Sequence, residues 1–269
     1  IASLTELPNF SKVGLESLDD ILDEAGRFFN EVISPTNRVG DLEGSKLNQD
    51  GKVTTPTGFK EAYAQYVDAG WGAISFEPEY GGGGFPWLVG IAVTEMLTAA
   101  NMAMSLNPML TQGSIHALSA HGDPTQKLAW LPKLITGEWA GTMNLTEPQA
   151  GSDVGALTAK AELQENGTYL ISGQKIYITW GEHDLTENII HLVLARTPDA
   201  PPGTKGISLF IFPKFLVNDD GSLGEENDVK CLSIEHKLGI HASPTCVLQF
   251  GDNGGAIGYL VGDENSGMR

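Results

Sequence analysis

Two cysteines in 269 residues leave no disulfide framework to build on, and Cys231 and Cys246 stand in no metal-ligand spacing. A reducing, cytoplasmic setting is the default expectation. Basic residues are scarce: 16 Lys and Arg face 34 Asp and Glu, a formal net charge of −18. Nucleic-acid binding needs clustered cations against phosphates, so this balance excludes a nucleic-acid surface and leaves most of the acidity as solvated exterior. No apolar run nears the ~20 residues that cross a bilayer, and no signal-peptide pattern opens the chain, so no membrane partner is expected. The first residue is Ile1 rather than methionine, which leaves room for polypeptide upstream. His236 and His241 flank Leu238-Gly239-Ile240 without a third or fourth ligand in pattern, so no metal is assigned. Internal repeats and low-complexity tracts are missing too.

What is present divides in two. From Leu15 to Val32 apolar residues recur at helical spacing, and Pro35 is expected to stop that run. A polar connection over 36–57 follows, then a helix carrying Phe59, Tyr63 and Val67 that ends at Gly70. The run Gly81-Gly82-Gly83-Gly84 lacks the Lys-Ser/Thr of a phosphate loop and reads as a flexible turn between helices. Further helices are expected over 87–100, over 108–120, and from the Asp123-Pro124 cap to Gly137.

From Trp139 the period changes to alternation. Strands are expected over 139–145, 157–163, 169–179, 189–196, 206–212, 229–234, 246–250 and 259–261, with Gly, Pro, Asn and Asp between them. The fold class is therefore α+β: an all-helical domain over 1–137, an all-β sandwich or barrel domain over 138–263, and a short linker over 264–269.

The stretch from Met143 to Trp180 organises the rest. It begins as a strand, breaks at Glu147-Pro148, and passes through the small-residue loop Ala150-Gly151-Ser152-Asp153. Two alternating strands follow, joined at Glu165-Asn166-Gly167. Alternation puts Tyr177 and Thr179 on one face, and Ile176, Ile178 and Trp180 on the other. Thr146, Ser152 and Thr179 supply hydroxyls, and the Gly151-Ser152 backbone can approach a planar or anionic ligand. Each of these residues alone also fits a turn or a core position. His183, in Gly-Glu-His-Asp, reads as a loop histidine bonded to nearby carboxylates.

The block Leu145-Thr146-Glu147-Pro148-x-Ala150-Gly151-Ser152-Asp153, with Gly173-x-Lys175-Ile176-Tyr177-Ile178-Thr179 behind it, resembles the acyl-CoA dehydrogenase family of flavoproteins. The likeness covers nearly the whole chain. The segment from Thr179 to Arg196 is most similar to the branch acting on 3-methylmercaptopropionyl thioesters. The resemblance implies FAD as cofactor. Met143, Leu145 and Thr146 would lie along one edge of its ring system, and Gly151 and Ser152 near its pyrophosphate. Tyr177, Ile178 and Thr179 would flank the ring from the other side. Ser152 would also face the substrate.

The same likeness implies an acyl-CoA substrate, an electron-transferring flavoprotein as electron acceptor, and a homo-oligomer in the full-length protein. The chain departs from the pattern at Tyr177, where many members have tryptophan, and at Met143, where many have an aromatic residue. Members often have arginine at His241 and aspartate at Pro244, which weakens any binding role for that segment. Val261 to Met268 resembles the junction to a C-terminal helical domain, which carries the family's glutamate base. No catalytic residue is therefore assigned. Glu95 and Glu147 lie nearest the motifs and have simpler structural roles. The alternatives left open are a non-catalytic binding or assembly module that keeps the fold, and an acyl-CoA oxidase-like enzyme. Acyl-chain length depends on helix packing around 100–113 and on residues outside the chain.

Overall fold

The computed structural model describes residues 6–10 and 17–268, so the expected helix start at Leu15 lies outside the described residues. Helix α1 (Leu18–Phe28) buries Leu18, Ala25 and Phe28. The chain does not stop before Pro35. A π-helical turn over Phe29–Ile33 leads straight into α2 (Ser34–Glu43), with Pro35 in its first turn. The Ser34 amide bonds back to the Phe29 carbonyl across that wider turn, and the proline, which has no amide hydrogen, sits directly after it. The expected polar connection is thus helical to Glu43. A two-residue ladder follows, β1 (Lys46–Leu47) against β2 (Val53–Thr54).

Helices α3 (Phe59–Asp68) and α4 (Trp87–Ala100) form where expected. The glycine run between them is pinned rather than flexible. Amides of Gly82, Gly83, Gly84 and Phe85 donate to carbonyls of Glu77, Ala73, Phe76 and Ile74. A Cβ at Gly82 would sit 2.1 Å from the Phe76 carbonyl oxygen. Helix α5 (Met102–His121) starts before the expected Pro108, which lies inside it. Asn101 sets that start, its side chain accepting the Met104 amide at 3.0 Å. Helix α6 (Pro124–Thr136) opens on an Asp123–Gln126 capping box and ends at Gly137, which has φ +85°.

The strand half is a barrel. Its strands are β3 (Trp139–Asn144), β4 (Lys160–Leu163), β5 (Tyr169–Thr179), β6 (Asn188–Ala195), β7 (Ser208–Pro213), β10 (Val229–Ile234), β11 (Thr245–Phe250) and β12 (Ala256–Val261). A small hairpin, β8 (Phe215–Val217) with β9 (Leu223–Glu226), was not legible in the alternation. Hydrogen bonding runs β10-β11-β5-β12-β7-β6-β3, with β4 on β5. The path then returns on itself. The Ile176 amide donates to the Thr146 carbonyl at 2.9 Å, joining the end of β3 to β5. Beyond β6, the Arg196 amide donates to Ala159 and the Arg196 carbonyl accepts from Ala161. Closure removes most of the open edge.

Three cores hold this together. Ile171, Val193, Phe210, Phe212, Leu248 and Phe250 fill the barrel. Alternate residues of β6 (Ile190, Leu192, Leu194) face outward onto Ile115 and Leu118 of α5 and Trp130 and Leu134 of α6. Buried on both faces, β6 is apolar apart from Asn188 and His191. The third core packs Phe29, Phe59, Tyr66, Trp71 and Met104 among the helices, and Trp180 from beyond β5 joins it. Helix α5 lies directly on β3. A Cβ at Gly141 would stand 2.5 Å from Ser114 Oγ, so only glycine permits this approach.

Candidate functional site

Among the described residues, strand β3 is paired on one side only, by β6, which leaves its outer edge open. The Gly141 amide points to that edge and donates to Thr111 Oγ1 at 3.0 Å. Backbone groups repeat every two residues along a strand, so the Met143 amide and carbonyl face the same open edge. Neither makes a hydrogen bond to the described residues outside the ladder. Met143 itself is 38% exposed. Leu145 and Thr146, both half-buried, carry the edge onward to β5.

Opposite them, β5 does not alternate as expected. Cys246 pairs with Ile178 but Leu248 with Lys175, so β5 carries one extra residue over Ile176 and Tyr177. Tyr177 takes φ +59°, the left-handed region that a bulge favours and a tyrosine rarely enters. Its ring stands 59% exposed. Ile178 and Trp180 are both buried, yet they do not share a face. Ile178 enters the barrel core while Trp180, at φ +54°, joins the helical core and donates its indole N–H to the Ala103 carbonyl. Ile178 therefore offers a ligand no side chain, and its carbonyl already accepts the Gly181 amide at 3.2 Å.

Thr146, Gly151 and Ile176 come together: a Cβ at Gly151 would be 3.6 Å from Thr146 Cγ2, and Thr146 bonds Ile176. Gly151 and Ser152 are exposed. Thr179 stands farther along β5, paired with Thr245. From Ile176 to Thr179 the rim runs about 10 Å at the usual strand rise. The hydroxyls of Thr146, Ser152 and Thr179 make no hydrogen bond among the described residues. Unused donors and acceptors on an open edge, beside an exposed thioether and an exposed phenol, suit a flat ligand with a polar rim.

Lys175, inside the motif but given no role by the sequence reading, is the largest addition. It is fully buried beside Glu147, with Nζ 2.8 Å from Glu147 Oε1 and 3.2 Å from the Leu145 carbonyl. Glu147 also accepts from the Ala159 amide (3.0 Å), the Thr158 amide (2.7 Å) and hydroxyl (3.0 Å), and Gln149 Nε2 (2.7 Å). Burial pushes the Glu147 carboxyl up, but the Lys175 bond and charge and the two amides outweigh it and hold it below its usual range. The signal available was a lysine in alternating register with Tyr169 and Ile171, the inward-facing positions of the strand.

His183 corrects another expectation. It bonds no carboxylate; it is buried, edge-on to Trp180 at 5.4 Å. Its Nδ1 accepts the Leu185 amide at 3.2 Å, so the neutral ring keeps its proton on Nε2, 3.2 Å from the Asn107 side-chain amide, whose otherwise unpartnered oxygen must turn to the ring to accept it. Burial, then the Lys214 charge, lower its pKa to about 3. His191, bonded through Nδ1 to Thr142 Oγ1 at 2.7 Å, is lowered to about 3 mainly by burial as well. Glu95 is exposed on α4, and Glu147 is consumed by its ion pair. His236 and His241 stack at 5.9 Å, and no group of three metal-ligating side chains occurs among the described residues.

Comparison with known proteins gives these features a lineage. Residues 16–138 match the acyl-CoA dehydrogenase N-terminal domain, and residues 142–253 the middle domain of the same enzymes. The 3-methylmercaptopropionyl-CoA dehydrogenase of Ruegeria pomeroyi is 53% identical over 263 residues, 98% of this chain and 44% of that protein. The chain thus spans less than half of that relative's length. The butyryl-CoA dehydrogenase structure from Megasphaera elsdenii superposes with a TM-score of 0.71 at 25% identity, over 93% of this chain and 59% of that one. An acyl-CoA dehydrogenase from Bacillus anthracis, solved in complex with FAD, shares the fold with a TM-score of 0.70 at 23% identity, over 95% of this chain and 39% of that one. The motifs, the helical block packed on a barrel, and these matches agree: the chain belongs to the acyl-CoA dehydrogenase family.

Proposed function

We propose that this chain forms the flavin-facing part of an FAD-dependent acyl-CoA dehydrogenase that desaturates a short-chain or thioether acyl-CoA. The observation that carries the reading is the open edge of β3, where the Met143 backbone and the Thr146 hydroxyl stand unused beside Gly151 and Tyr177. Bound FAD would supply a hydride acceptor for the carbon two positions from the thioester carbonyl. The Met143 amide and carbonyl, the Leu145 backbone and the Thr146 hydroxyl would fix the ring's polar edge. Tyr177, the Ile178 backbone and Thr179 would border it from β5. Gly151 and Ser152, exposed on their loop, would receive the anionic portion, with the Ser152 hydroxyl also turned to substrate.

Proton removal next to the thioester needs a carboxylate within hydrogen-bond reach. Glu147 cannot serve, since both its oxygens are engaged, and Glu95 is exposed on α4. The family resemblance implies instead a glutamate carried by a C-terminal helical domain. An electron-transferring flavoprotein as acceptor, a homo-oligomeric assembly and a cytoplasmic location complete the proposal. No described helix is long and apolar enough to cross a membrane.

The test is spectroscopic. Full-length protein should show flavin absorbance that bleaches when a short acyl-CoA is added anaerobically and recovers with an electron acceptor. Bound flavin that no short thioester bleaches would favour a non-catalytic module on the same fold, and reoxidation by oxygen alone would mark an oxidase.

A further inference from the structure

We infer that Lys175 and Glu147 are positioning residues for the ring-facing rim, their buried contact holding the Leu145–Thr146 edge and the Gly151–Ser152 loop in register with β5. The inference rests on the flavin reading above and adds what keeps that surface in shape. Three observations meet at the pair.

First, the barrel closes between β3 and β5 over a short span. The Ile176 amide reaches the Thr146 carbonyl, and one residue earlier Lys175 Nζ reaches the Leu145 carbonyl at 3.2 Å. Both carbonyls lie in the segment whose other groups face the open edge. Second, Glu147 gathers the loop. Its carboxylate ties Gln149, Thr158 and Ala159 at the loop's two ends, while its backbone exchanges bonds with Ala150 at 2.9 and 3.0 Å. Those contacts fix the chain on both sides of Gly151 and Ser152. Third, the register of β5 slips by one residue immediately after Lys175, lifting Tyr177 outward. The buried ammonium therefore anchors the last residue of β5 before the bulge.

A pair at 0% and 2% side-chain exposure carries a large desolvation cost, and apolar residues of similar volume often replace such pairs without loss of stability. What apolar residues cannot supply is direction. Five contacts radiate outward from the pair: three to backbone groups of Leu145, Thr158 and Ala159, one to the Thr158 hydroxyl and one to the Gln149 side chain. Supporting groups of this kind hold binding groups to the geometry they need.

The experiment uses the full-length protein and the paired variant Lys175→Met with Glu147→Gln, which removes both charges together. The expected result is a melting temperature near that of the parent, an FAD dissociation constant raised about tenfold, and a shifted visible flavin spectrum; tenfold is the scale of one misaligned hydrogen bond. Parent-like FAD affinity and spectrum in a folded paired variant would overturn the inference. If that variant does not fold, hydrogen exchange in the parent reads the same coupling. Adding FAD should slow exchange at the Thr158 and Ala159 amides, which bond Glu147 behind the rim. Unchanged exchange there would overturn it. A parent protein that binds no FAD would instead remove the flavin reading itself, so the two failures are distinguishable.

Discussion

Thr146 shows how much one side chain can decide. Its carbonyl closes the barrel on Ile176, while its hydroxyl has no partner among the described residues. Thr146→Val keeps the shape and removes the hydroxyl. FAD affinity should fall by about three- to tenfold, the worth of one net hydrogen bond, with the melting temperature unchanged. Calorimetric titration with a parallel thermal melt measures both; a melting temperature that falls while affinity stays would assign the hydroxyl to folding.

The two buried histidines make a separate prediction at the same scale. His183 and His191 stay neutral in the fold with values near 3, against 6.5 when free. Below pH 6.5 the unfolded chain binds protons that the folded one refuses, so stability is lost as pH falls from 6.5 toward 3. Each histidine should cost about 2 kcal/mol between pH 7 and pH 5, at 1.36 kcal/mol per unit. Urea unfolding at the two pH values tests this, and His183→Asn should make the dependence shallower. A midpoint that does not move between pH 7 and 5 would contradict it.

Among the elements, β3 and α5 show what sequence could and could not reveal. The helices and the change of period near Trp139 follow from spacing, because a core-facing stripe has to recur at 3.6 or 2 residues, whereas the flavin motifs were legible only by resemblance to the family. Prolines misled. Pro35 falls in a first turn and Pro108 within α5, and neither breaks its helix, because packing on neighbouring elements outweighs local propensity. The bulge at Ile176 and Tyr177 was hidden as well, since one inserted residue leaves no compositional mark. The partners of Lys175 and His183 lie 28 and 76 residues away in sequence, beyond any local pattern. Of the site, the β3 edge and its loop were legible. The geometry that aims them was not.

The seam between α5 and β3 offers its own test. At Gly141 a methyl group would meet Ser114 Oγ at 2.5 Å and Cβ at 2.6 Å, both on helix α5. Gly141→Ala should destabilise the protein by about 1–3 kcal/mol, the usual cost of overpacking. It should also weaken FAD binding, because the open edge begins two residues later at Met143. Chemical denaturation gives the first quantity and flavin fluorescence quenching the second. A neutral substitution would mean that α5 can withdraw without disturbing the edge.

Across the whole molecule, a helical block and a barrel share one outward-facing core, and the rim lies where the barrel closes on itself. Under the proposed function, the described residues hold and orient a flat cofactor. A crystal structure of the full-length protein with FAD tests this most directly. The account predicts the tricyclic ring against the β3 edge, its polar rim within hydrogen-bond distance of the Met143 backbone and Thr146 Oγ1, with Tyr177 and Thr179 alongside. A ring bound elsewhere, with that edge left to solvent, would contradict it.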